Sequence, residues 1–243
     1  MLPRFAYDAG LGPDDVRSVV TRSLWKVPDR NNWSAGNIRG EVEGLLYACA
    51  WNEVYDIAEK LHYEVGEETK SRGPKAEKAA QEKFSNALNL YFRKRGIGWQ
   101  VLDGQIQVRG EETFEMIVAN AHASAVASGL STVSEEIHEA LRDLSRRPKP
   151  DSTGAARHAI AALEATSRHV TNERNKTLGA ILKARPDLFP PPLGAAVEKL
   201  WGFASDKLRH VNEGATVEFA EVELVVTIAC AAATYLMKKA EKA

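Results

Sequence analysis

The sequence predicts a mainly α-helical protein: a helical N-terminal domain with one β-hairpin, followed by a helical bundle. Three observations carry that expectation. Apolar residues recur at i, i+3, i+4 and i+7 through most of the chain, the spacing of one helix face. Period-two alternation with turn chemistry occurs once, between Trp99 and Arg109. A stiff basic segment, Arg-Arg-Pro-Lys-Pro at 146–150, interrupts the helical pattern and marks the expected boundary between domains 1–147 and 151–243.

The composition agrees with a folded chain. Its 243 residues suffice for two small domains, and 44% hydrophobic with 27% charged residues is a globular balance. The net charge of −1 provides no global positive field to announce a nucleic-acid partner. Cys49 and Cys230 sit in apolar helical surroundings without a ligand at metal spacing, so both read as buried free thiols of a reducing compartment. The first residues, Met-Leu-Pro-Arg-Phe, lack the pattern of a signal peptide. The most apolar run, 225–237, falls short of the roughly 20 residues that a bilayer needs. The expectation is a cytoplasmic protein without membrane contact.

The elements follow in order. Pro13 with Asp14 and Asp15 opens a helix that stops near Pro28. One long helix is expected over 39–63, with Val42, Leu45, Leu46, Ile57 and Leu61 on its apolar stripe. Gly73-Pro74 opens the next, whose inward face is Phe84, Ala87, Leu88 and Tyr91. Arg93, Lys94, Arg95 and then Gly96 close it. Asp103-Gly104 between short alternating runs predicts a two-residue hairpin, because a type I′ turn needs positive φ at both central residues. Trp99, Leu102 and Ile106 are expected to pack inward. A helix over 111–128 ends at Gly129, and Thr132 with Glu135 reads as the capping box of the next. After the basic segment four helices are expected, at 152–170, 177–184, 193–204 and 217–239.

Two places could carry chemistry. On the helix after Ser152, the residues Arg157, Glu164 and Arg168 cluster within about 40° of each other. They form either a solvated face or the polar wall of a groove that holds an anion. The second place is 205–214, expected as a loop between two apolar helices. There Arg209 offers a planar fork suited to phosphate, His210 can exchange a proton near neutral pH, and Lys207 adds positive charge. Asp206 or Glu213 could orient either one. A catalytic serine elbow and a nucleotide-cradling glycine loop are both missing from the sequence. His158 and His169 lie about 16 Å apart on one helix, too far to share an ion. No metal and no cofactor is expected.

Two stretches resemble a known family. RHAIAALEATSRHVTNERNKTLGAILK (157–183), LGAAVEKLWGFASDKLRHVNEG (193–214) and a long apolar last helix resemble the C-terminal HEPN-type module of AbiJ-like abortive-infection proteins. The matching features are Ala159, Ala162 and Glu164, Thr177-Leu178-Gly179, Trp201, Ser205-Asp206 and Arg209-His210. Upstream, FSNALNLYFRKRGIGWQVLDGQIQVRGEETFE (84–115) is similar to the N-terminal domain such proteins carry. The resemblance implies an RNA-directed antiphage or toxin-like protein that pairs into a homodimer through its C-terminal domain. It also implies metal-independent endoribonuclease chemistry, with Arg209, His210, Glu164 and Asp206 as catalytic candidates. Arg157, Arg168 and Lys207 are the phosphate- or RNA-binding candidates. The family's Arg and His are separated by several residues, whereas Arg209 and His210 are adjacent. A non-catalytic RNA- or nucleotide-binding or dimerisation module is therefore the alternative.

Overall fold

A computed structural model describes residues 1–209 and 218–241, with side chains described up to Ser205 in the first span. Among the described residues the fold is mainly α, with eleven helices and one antiparallel hairpin. The chain divides into two compact units, 1–108 and 109–243.

The first unit contains α1 (Leu2–Asp8), α2 (Pro13–Ser23), α3 (Ala35–Ala48), α4 (Trp51–Lys70), α5 (Pro74–Lys94), β1 (Trp99–Leu102) and β2 (Gln105–Val108). Pro13 sits at the first position of α2 and Pro74 at that of α5, as the sequence indicated. Val16, Val20, Val42, Ile57, Leu61, Phe84 and Leu88 form its core. The single helix expected over 39–63 is two helices. Cys49 and Ala50 are extended, and the Glu53 carboxylate accepts the Ala50 amide at 2.8 Å, which starts α4 afresh. Neither Gly nor Pro marks this break, so the apolar periodicity ran straight across it.

The hairpin has the expected turn: Asp103 and Gly104 have φ of 48° and 80°. Trp99 faces Val108 and Val101 faces Ile106, which puts these four on the inward side. Leu102 belongs to the opposite side and is 44% exposed, which corrects the expectation that it packs inward. Helix side chains hold the hairpin in place. Asn89 of α5 bonds both the amide and carbonyl of Val101 (2.6 and 3.0 Å), and Glu59 of α4 accepts the Ile106 amide at 2.7 Å.

The second unit contains α6 (Glu112–Ala127), α7 (Ser131–Leu144), α8 (Ser152–Thr171), α9 (Leu178–Ala184), α10 (Leu193–Arg209) and α11 (Phe219–Ala240). Helices α6, α7, α8 and α11 pack as a ring of four, each against the next, and α9 and α10 pack on α8. The basic Pro-rich segment therefore lies inside a compact unit. It joins α7 to α8, two helices packed on each other, so the division falls at 108/109 rather than at 147/151. Helix α7 begins at Ser131, with its cap two residues before the expected one. Leu130 is its N-cap and provides no side-chain bond, so Thr132 is not the cap.

Helix α10 runs to Arg209, so the first half of the expected 205–214 loop is helical backbone. Helix α11 has 22 residues, long and apolar enough to cross a bilayer by length and composition, which corrects the reading that its apolar run was too short. Val222, Val225, Val226, Ala229 and Leu236 are nonetheless buried, and the helix packs on α6 and α8. It serves as a core helix of its unit.

Candidate functional site

A cavity of about 510 Å³ lies in the second unit between the start of α7 and the end of α8. Sequence dictates both walls. Gly129 ends α6 with φ of 69° and turns the chain into α7 within two residues. At the end of α8, Asn172 takes the left-handed conformation (φ 57°), a role short polar side chains tolerate. That reversal brings Arg174 back beside the last turn of α8. Arg168, His169 and Arg174 thus share the cavity with Ser131, Thr132 and Val133 of the first turn of α7.

The electrostatics favour an anion. No carboxylate lines this cavity among the described residues. First-turn amides of a helix have no partner within the helix, and their dipole end is positive. Of the nearby acids, Glu173 holds Lys176 at 2.8 Å, while Glu164 pairs with the cavity's own Arg168 at 2.7 Å and offsets its charge, which leaves Arg174 as the source of the positive bias. Arg174 is exposed and pairs with no acid among the described residues. A larger groove in the first unit, about 690 Å³, mixes Glu59, Glu82 and Asp103 with Lys78 and has no such bias.

The sequence-derived candidates separate in space. Arg168 lines the cavity and is fixed there, its Nε donating to the Lys176 carbonyl at 2.8 Å. Glu164 is close by, but both its oxygens are committed, one to Arg168 and the other to the Leu178 amide at 2.7 Å. It ties α8 to the first residue of α9. Arg157 is exposed, eleven residues before Arg168 on the same helix and outside the cavity lining. The backbone of Asp206, Lys207 and Arg209 forms the last turn of α10. Their side chains, with His210 and Glu213, lie outside the described residues. Residue spacing alone did not single out Arg174. The signal available was Asn172 directly after an apolar helix, which marks a chain reversal.

A second polar cluster joins α7 to α8. His158 Nδ1 meets Glu136 at 2.6 Å, and its Nε2 lies 3.6 Å from Asp143. Asp143 is only 3% exposed, and Arg146 contacts it at 2.9 Å. Asp151 caps α8 by accepting the Gly154 amide at 2.8 Å. These contacts run between α7, α8 and the segment that joins them, so the cluster clamps the two helices; Oδ1 of Asp143 has the Arg146 ion pair but no well-aligned hydrogen bond. Among the described residues no group of three His, Cys, Asp or Glu is arranged to hold a metal ion.

Fold and site together define a helical protein of two compact units, with a cationic cavity in the second. Residues 14–124, from α2 through most of α6, match the family model described as AbiJ N-terminal domain 4. The match includes the hairpin segment whose resemblance the sequence carried, and extends upstream through α2, α3 and α4. No curated protein and no solved structure matches the chain.

Proposed function

We propose that the chain is an RNA-directed antiphage protein of the abortive-infection type, whose second unit works as a HEPN-type helical module. The observation that carries the RNA reading is the cavity in which Arg168, Arg174 and His169 face the first turn of α7. The Arg174 guanidinium and the first-turn amides of α7 suit the oxygens of a phosphodiester, with Arg168 beside them paired to Glu164. The similarity of residues 14–124 to AbiJ N-terminal domains supports the defence role. In the cleaving form of this proposal, a ribose 2′-hydroxyl attacks the adjacent phosphorus, the bond from phosphorus to the next nucleotide's 5′-oxygen breaks, and the hydroxyl's proton ends on that leaving oxygen, giving a 2′,3′-cyclic phosphate and a 5′-hydroxyl. His210 moves the proton, and Arg209 stabilises the charge that develops on the phosphoryl oxygens.

One observation favours a binding role without cleavage. Glu164, the catalytic candidate whose side chain is described, has both oxygens engaged and none left to orient a proton-transfer group. Incubation of labelled RNA with the full chain, without added metal, decides between the two. Cleavage that disappears in Arg209→Ala and His210→Ala supports the ribonuclease. Intact RNA bound in a salt-dependent way, weakened by Arg168→Ala with Arg174→Ala, supports the binding module. Absence of both cleavage and binding rejects the RNA reading.

A further inference from the structure

Among the described residues four helices end alike, with the chain turning back through one residue of positive φ. The residue directly after the turning residue donates its amide to the carbonyl five positions before it. The pairs are Leu11 to Ala6, Ile97 to Phe92, Leu130 to Ala125 and Glu173 to Arg168, at 2.9–3.1 Å. The turning residues are Gly10, Gly96, Gly129 and Asn172, the types that tolerate this conformation. Helix α2 ends the same way, with Lys26 donating to Thr21 at 2.9 Å, but its turning residue is Trp25 at φ 53°. A bulky side chain there costs backbone energy. Packing does not compensate, because Trp25 is 95% exposed. Folding alone selects against this tryptophan, so its use is outside the fold.

The segment that displays it is anchored. Glu41 accepts the Asp29 amide at 2.8 Å and the Asn32 side-chain amide at 3.1 Å, and Arg17 donates to the Asn32 carbonyl at 2.7 Å. At the far end of the segment Trp33 is 84% exposed. Two aromatic faces are thus presented on a fixed backbone, at low ordering cost to a partner. Between them stand Lys26 and Arg30, exposed and without an acid partner among the described residues. Of the acids nearby, Glu41 is held as above; Asp29 accepts the Asn31 amide at 2.9 Å and keeps its charge, so the segment sets two cations against one carboxylate.

We infer that the segment from Trp25 to Trp33 is a contact surface for single-stranded nucleic acid, with Trp25 and Trp33 as stacking platforms for bases and Lys26 and Arg30 as phosphate contacts. π faces interspersed with cations that outnumber the one carboxylate of the segment match a chain of alternating bases and phosphates. The inference deepens the RNA reading and gives the first unit a part in it.

The test uses the full chain and a fluorescein-labelled twelve-nucleotide oligouridine, followed by anisotropy at several salt concentrations. Trp25→Ala with Trp33→Ala weakens binding by about tenfold or more. Lys26→Ala with Arg30→Ala lowers the salt slope by about 1.4, the value for two phosphates of a single strand. Trp25→Gly separates display from folding: it raises the melting temperature by about 2–4 °C while weakening binding. A fall in melting temperature would make Trp25 a packing residue and overturn the inference, as would tryptophan variants that bind like the parent. Binding to anionic phosphatidylserine vesicles without binding to the oligonucleotide would also overturn it. If Arg168→Ala with Arg174→Ala abolishes binding while the tryptophan variants do not, this inference fails and the second-unit site stands. The reverse result removes that site and keeps this one. A parent chain that binds no oligonucleotide refutes both.

Discussion

Gly154 of α8 and Asp143 of α7 share one contact: a Cβ on residue 154 would overlap Oδ2 of Asp143. The carboxylate cannot retreat, since it is buried, meets Arg146 at 2.9 Å and stands 3.6 Å from His158. Glycine within a helix normally costs about 0.5–1 kcal/mol relative to alanine. Here the overlap outweighs that gain. Gly154→Ala destabilises by about 1–3 kcal/mol, as overpacking does. In an Asp143→Ala background the larger part of that cost disappears, because the methyl group enters the vacated space, and what remains is its 2.9 Å approach to Oδ2 of Asp151. Urea unfolding of the two single variants and the double variant measures the coupling. Additive effects would show that the two residues do not share the contact.

The hairpin tip gives a second test. Gly104 combines φ of 80° with a position where a Cβ would stand 2.9 Å from Nδ1 of His62. Burial holds the His62 imidazole below its usual range, so it is neutral at pH 7 and meets the tip as an uncharged ring. Gly104→Val adds a β-branched side chain to a conformation that costs ordinary residues about 1–2 kcal/mol. The melting temperature falls by about 4 °C or more. Gly98→Val is the control: nothing lies within 4 Å of a Cβ there and its φ lies outside the positive range. An equal fall in both variants would remove the turn as the cause.

These contacts show where the sequence was legible. Asp103-Gly104 named its turn because only a few residue types accept positive φ, and Pro13 and Pro74 named helix starts for an equally local reason. The break at Cys49 and Ala50 was hidden because its cause is the Glu53 side chain folding back, not a helix-breaking residue. The boundary at 147/151 failed for a different reason. Proline stiffness at 148 and 150 is local, whereas the packing of α7 on α8 joins residues on both sides of it. Of the candidate site, Arg168 was legible from its helix face. Arg174 and the first turn of α7 reach the same cavity only through two chain reversals, which no periodicity records.

Helix α11 carries the prediction about assembly. Its inner face is buried on α6 and α8, yet Leu224 and Tyr235 are exposed, with Ile228 and Ala231 between them. These four recur at spacings of four, three and four, the seam of a helix pair. Tyr235 is partly occupied, its ring stacked on Phe189 at 5.6 Å. A homodimer through this stripe is the expected state, with a mass of two chains by light scattering at micromolar concentration. Ala231→Arg places a charge in the middle of the seam and gives a single-chain mass with unchanged helix content. A parent chain that is already monomeric refutes the seam.

The two cysteines should respond to alkali and to thiol reagents to different degrees. Burial pushes the Cys230 thiol up to about 12, from an ordinary value of 9.0. Cys49 is raised as well, by burial and then by the Glu53 charge, but it is only partly buried. At pH 8 a chromogenic disulfide reagent therefore labels Cys49 slowly and reaches Cys230 only when α11 leaves the core. The linkage follows from the direction of the shift. Below pH 9 both folded and unfolded Cys230 hold their proton, and its contribution to stability is fully present. Between pH 9 and about 12 the unfolded chain releases the proton and the folded chain keeps it, so stability falls by up to about 1.4 kcal/mol per pH unit from this group. Other groups titrate in the same range, so the comparison is with Cys230→Ala, whose unfolding free energy should fall less steeply above pH 9. Equal slopes in the two proteins, or labelling of both thiols in the folded state at pH 8, would show that Cys230 is not sealed in the core.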